Sequence, residues 1–170
     1  MKQLIILLFI GTGLAVSAQS KFTPTDQFSI EGKVQHPIVF TLAALDTFKM
    51  KSLPDVVITN HAGVVKNKLS GLKGVSLKDI LSTISLQADS PRVFSEFYFV
   101  FVATDNYKIV FSWNEIFNTE TGNNIFIVTE EGGKKIKEME TRIPMICTSD
   151  FKTGRRDLKN LQKIIVERVN

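Results

Sequence analysis

The chain has 170 residues, of which 44% are apolar and 22% charged, and it carries no low-complexity tract or repeat, so a disordered or solenoid chain is excluded. One cysteine and two histidines exclude an intramolecular disulfide and leave no zinc site of recognised spacing. The formal charge of +4 is uneven: residues 134–170 hold ten Lys/Arg against five Asp/Glu, and residues 19–133 hold ten against twelve.

Lys2, the apolar run from Leu4 to Val16 and the sequence Val16-Ser17-Ala18 read as a secretory signal peptide over residues 1–18, cleaved before Gln19. The run is shorter than the roughly 20 residues a spanning helix needs, and Gln19 is not the cysteine of a lipoprotein. The reading is a periplasmic or secreted protein with no membrane anchor after cleavage and a single domain over residues 19–170. An exported chain without a nucleic-acid module is not expected to bind nucleic acid.

Phe28 to Val34 alternates apolar and polar residues, as a half-buried strand does, and Ile38 to Phe40 follows as a second extended run. Thr41 is placed to cap a brief helix through Phe48, with Leu42 and Leu45 inward. Pro54 closes that region and Val56 to Thr59 reads as a strand. The segment from His61 to Gly74 is polar and glycine-containing, a hairpin or long loop. Ser76 and Asp79 resemble a capping box opening a helix with Leu77, Ile80, Leu81 and Ile84 on one face.

Phe97 to Ala103 is uninterruptedly apolar, predicting a strand covered on both faces. Asp105-Asn106 tolerates positive φ, so Tyr107 to Phe111 returns as its hairpin partner. Ser112 and Glu115 form a second capping-box pair for a short helix, Trp113 to Phe117. Asn124 to Thr129 is strand-like and Glu131-Gly132-Gly133-Lys134 is a turn. Ile143 to Cys147 and Lys163 to Val169 complete the strands, the first pairing at an edge or only after Pro144. Cys147 ends an apolar run and is expected to be a buried, inert thiol. Strands outnumber helices and the helices are short, so the class is α+β with a mixed sheet.

This order of elements, with Gly74-Val75-Ser76-Leu77-Lys78-Asp79-Ile80-Leu81, Asp105-Asn106-Tyr107, Arg142 to Cys147 and Gly154-Arg155-Arg156, resembles the molybdopterin-binding domain of the sulfite oxidase family in its small stand-alone bacterial form. The resemblance covers roughly residues 27–169. It implies the sulfite-oxidase-type fold and molybdopterin as the cofactor. The chain also departs from the family. Where family enzymes ligate molybdenum through a cysteine, Thr59-Asn60-His61-Ala62-Gly63 puts His61, and an imidazole differs from a thiolate in charge and softness. The turn usually written Asp-Gly-Tyr is Asp105-Asn106-Tyr107, Met139-Glu140 stands in place of a Gly-Pro, and Arg92 is the only arginine before Arg142.

His61 is then either a ligand-facing loop residue or an exposed loop histidine. A pterin cofactor of this kind ends in a phosphate, which suits arginine's planar fork, so Arg142, Lys152, Arg155 and Arg156 are the anion-binding candidates; their alternative is a solvated loop. No nucleophile elbow, P-loop, Rossmann glycine pattern or His-Glu-x-x-His occurs. The expected function is an exported molybdopterin-binding-like domain that holds a pterin or another anionic small molecule without oxidoreductase activity of its own. The alternatives are a cofactor-free protein-interaction module on the same fold, and a molybdopterin-dependent oxidoreductase holding its metal without the usual cysteine.

Overall fold

The computed structural model describes residues 23–169; the expected signal peptide and its cleavage site lie outside them. The strands are β1 (Gln27–Gly32), β2 (Ile38–Thr41), β3 (Met50–Ser52), β4 (Val56–Thr59), β5 (Val65–Leu69), β6 (Lys73–Ser76), β7 (Phe97–Ala103), β8 (Lys108–Ser112), β9 (Ile125–Glu131), β10 (Lys134–Lys135), β11 (Met145–Cys147) and β12 (Leu161–Arg168). Three short helices, α1 (Leu42–Leu45), α2 (Leu77–Leu81) and α3 (Trp113–Phe117), each follow a strand directly. The class is α+β, as the pattern predicts.

The main sheet runs β2-β1-β12-β7-β8. Its inner strand β12 pairs parallel with β1 and antiparallel with β7, so the last strand of the chain is clamped between two earlier ones. The apolar sequences of β7 and β12 suit that position: Phe97, Phe99, Phe101, Leu161, Ile164 and Val166 are all buried. Tyr98 and Val100 are only half-buried, so β7 is covered completely on one face and partly on the other, less than its composition predicts. Aromatic rings fill the core side, with Phe28 stacked on Phe40 at 5.3 Å and Phe101 edge-on to Phe111 at 5.7 Å. Gly32, at φ +93°, ends β1 where a Cβ would lie 2.3 Å from the Val166 carbonyl oxygen; only glycine lets the two backbones approach so closely.

The second sheet runs β10-β9-β6-β3, with β11 also on β9. β4 and β5 form a separate hairpin. One hydrophobic cluster joins residues of all three units, including Ile30, Ile58, Val75, Phe111, Ile127 and Val166. The polar region after His61 is thus neither one hairpin nor one loop. It divides into β5 and the start of β6, whose Gly74 and Val75 pair with β9.

Local signals decide the helix starts unequally. Thr41 Oγ1 accepts from the Ala44 N–H at 3.2 Å, as predicted, but α1 stops at Leu45 rather than Phe48. Ser76 occupies the N-cap of α2 without any side-chain cap bond, a correction to the expected capping box. Its side chain is buried at the end of β6. The Ser112–Glu115 box is complete: Glu115 Oε2 accepts from the Ser112 N–H at 2.8 Å, and Ser112 Oγ accepts from the Glu115 N–H at 3.1 Å. β11 begins after Pro144, and Cys147 at its end is buried.

Candidate functional site

The candidate residues sit on two loops that meet. The first is the turn between β4 and β5. Asn60 Oδ1 accepts from the Ala62 and Val64 N–H groups, both at 3.0 Å, which closes a tight Asx turn. His61 is at the exposed crest of that turn. The second loop, residues 148–156, carries Lys152, Arg155 and Arg156.

Thr153 fastens the second loop to the first. Its Oγ1 donates to the Val57 carbonyl at 2.6 Å and accepts from the Thr59 N–H at 3.0 Å, serving both backbone groups on the open side of β4. Lys152 Nζ donates to the His61 carbonyl at 3.0 Å. At Gly154 a Cβ would lie 2.0 Å from the Thr59 carbonyl oxygen, so the loop lies against the strand at a distance no side chain tolerates. The Tyr107 hydroxyl donates to the Arg155 carbonyl at 2.7 Å and ties the same loop to the β7–β8 turn. Asn106 in that turn has φ 66°, the positive value its sequence suggests.

Neighbours in sequence, Arg155 and Arg156 have opposite environments. Arg155 is exposed and has no carboxylate partner among the described residues. Arg156 turns inward, where its Nε and one terminal nitrogen grip Asp150 and the other terminal nitrogen reaches Glu115 Oε1 at 3.1 Å. Its guanidinium lies 4.1 Å from the centre of the Phe111 ring. The bidentate bond to Asp150 holds the Arg156 cation above its already high ordinary value, against the burial that opposes it. Glu115 serves two elements at once, since its other oxygen caps α3.

Arg142 does not join this cluster. Its N–H donates to Asn160 Oδ1 at 2.7 Å and its guanidinium pairs with Asp26, beside Thr41 and Lys137. Cys147 lies close to Asp150 and Ser149 but inside the core. Burial pushes its thiol up, the Ser149 hydroxyl at 3.4 Å opposes this, and Asp150 adds to it. Among the described residues no group of three or more His, Cys, Asp and Glu side chains could hold a metal ion.

Two grooves lie elsewhere. One, of about 460 Å³, is lined by Leu81, Ile84, Phe94, Phe99, Trp113 and Phe117, with Trp113 stacked on Phe117 at 5.1 Å. The other, of about 560 Å³, runs between the β4–β5 hairpin and β9 and contains Lys66, Glu131, Asp157 and Lys159. Neither is lined by His61, Lys152, Arg155 or Arg156. Sequence reasoning did not find Thr153 or Asp150 as parts of the site. For Thr153 the linear sequence holds no signal, because its partners Val57 and Thr59 lie far along the chain.

No family model matches the chain, and no curated protein matches it in sequence. Among solved structures it is similar to the sulfane dehydrogenase SoxCD from Paracoccus pantotrophus, with a TM-score of 0.61 and 14% identity over 84% of this chain. The chain spans 39% of the length of that protein chain. The likeness shows a sulfite-oxidase-type fold, and at this identity the fold alone.

Proposed function

We propose that the mature chain is an exported recognition module on the sulfite-oxidase-type fold that works without molybdopterin and without oxidoreductase chemistry of its own. The observation that carries this reading is the state of Arg156. Each of its three guanidinium nitrogens donates to Asp150 or Glu115, so a phosphate would meet a half-buried cation whose charge two carboxylates already neutralise, with one spare N–H on each terminal nitrogen. Arg142 is paired with Asp26 through one guanidinium nitrogen and lies in a different part of the molecule. His61 supplies an exposed imidazole where the family's metal would meet a thiolate, and the one thiol is buried, which pushes its pKa up. These residues do not fit a molybdenum–pterin group.

Replacing the missing ligand tests the reading. His61→Cys, purified from a host that makes molybdopterin, is expected to carry no stoichiometric molybdenum. One metal per chain would sink the proposal, since the cysteine would then be all that the site lacked. One observation favours a second reading, binding of a small anion. Arg155 is an exposed cation free of carboxylates beside Lys152. Titration with inorganic phosphate that saturates in the native chain and fails in Arg155→Ala would support it.

A further inference from the structure

The loops that meet at His61 also expose apolar side chains. Phe151 is 102% exposed, as open as a residue in an extended peptide, although aromatic side chains are the largest apolar payload a loop can carry. One residue on, Lys152 reaches the β4–β5 turn. That turn ends in Val64 and Val65, themselves 56% and 62% exposed. Lys152 and Arg155 on the same loop are also exposed. Of the carboxylates near in sequence, Asp55 is paired with Lys68 and Asp150 with Arg156, and Asp157, two residues past Arg155, is half-buried in the groove beside Lys159.

We propose that this tip is a peripheral docking surface for an anionic lipid bilayer, with Phe151, Val64 and Val65 entering the headgroup boundary and Lys152 and Arg155 facing lipid phosphates. Charge opposes a tip-to-tip pair of this chain, because the same cations would then face each other. Shape decides against a protein cleft. Phe151 projects with nothing packed around it, and a deformable lipid interface accepts a projection without a preformed cavity. The binding is reversible and needs no spanning segment, since a few aromatic and aliphatic side chains add their burial to about 1 kcal/mol per basic residue near an anionic surface. The inference rests on the preceding reading in one respect, that these cations are free of a cofactor.

Flotation of the purified protein with vesicles tests it. Binding is expected to equimolar phosphatidylglycerol–phosphatidylcholine vesicles, to weaken with added salt, and to be absent with phosphatidylcholine alone. Phe151→Ser is expected to lower the vesicle affinity roughly tenfold or more, and Arg155→Gln about fivefold. Both kinds of change are on exposed side chains and should leave the circular dichroism spectrum intact. Phe151→Trp should retain binding, and its added emission should shift to the blue on the anionic vesicles. No binding to the anionic vesicles, equal binding to both kinds, or an unchanged affinity in Phe151→Ser would each overturn the proposal. So would capture of an acidic peptide by a chain that ignores vesicles. Pterin in the purified protein would instead overturn the preceding reading, whatever the vesicles show.

Discussion

Arg156→Ala separates a structural arginine from a ligand-binding one. Arg156 is 23% exposed at its side chain and Asp150 only 12%. Removing the guanidinium therefore leaves a carboxylate poorly hydrated and without its bidentate partner, a loss of about 2 kcal/mol for a charge-assisted bond of this kind. The bond to Glu115, whose side chain is 40% exposed, adds up to about 0.5 kcal/mol because water screens it. The lost cation–π contact with Phe111 adds about 0.5 kcal/mol more. The expected fall in unfolding free energy is about 3 kcal/mol, or a Tm lower by roughly 10 °C for a domain of this size. Urea denaturation measures it, with Arg155→Ala as the control, expected to change stability by less than about 0.5 kcal/mol. Asp150→Asn in the Arg156→Ala background should recover part of the loss, because it removes the stranded charge. Equal and negligible effects for the two arginines would refute the reasoning, since both would then be solvated loop residues.

Three further outcomes follow from the same loops and their surroundings. Gly154→Ala sets a Cβ against the Thr59 carbonyl oxygen and is expected to cost about 2 kcal/mol and to open residues 149–156 to limited proteolysis; wild-type resistance there would show that the loop is not held on β4. Burial pushes the Asp157 carboxyl above its ordinary 3.8, with Lys159 opposing and Glu131 adding. A carboxyl raised on folding supports the fold below that ordinary value and withdraws support as pH climbs through the folded value, so Asp157→Asn should be the more stable protein at neutral pH and should show a flatter stability profile in that range; a variant that is less stable at neutral pH contradicts this. The Cys147 thiol should react with Ellman's reagent far more slowly in the native protein than in denaturant, and a fast native reaction would place it at the surface.

What could be read from the sequence was local. The Ser112–Glu115 box, the Thr41 cap and the Asn106 turn depend on residues two or three positions apart, and each stands as the residues suggest. The long apolar strands β7 and β12 declared themselves by composition. β3 did not, because all three of its residues are exposed and only its pairing with β6 makes it a strand. At Ser76 the capping box is absent: the residue is buried at the end of β6 and its side chain makes no cap bond to α2. The site shows the same division. Arg155 and Arg156 are equivalent in sequence, and the carboxylate that helps turn Arg156 inward, Glu115, is remote along the chain. Grouping Arg142 with them also rested on charge alone, whereas Asp26 and Asn160 hold it in a different groove.

The central claim is that this fold is used here without its pterin. The most direct measurement is the fluorescence of oxidised pterin released from the wild-type chain after production in a host that makes molybdopterin. The account predicts far less than one pterin per folded chain. One per chain would contradict it, because the cofactor would then be held by Arg155 or by cations that Asp150, Glu115 and Asp26 neutralise here.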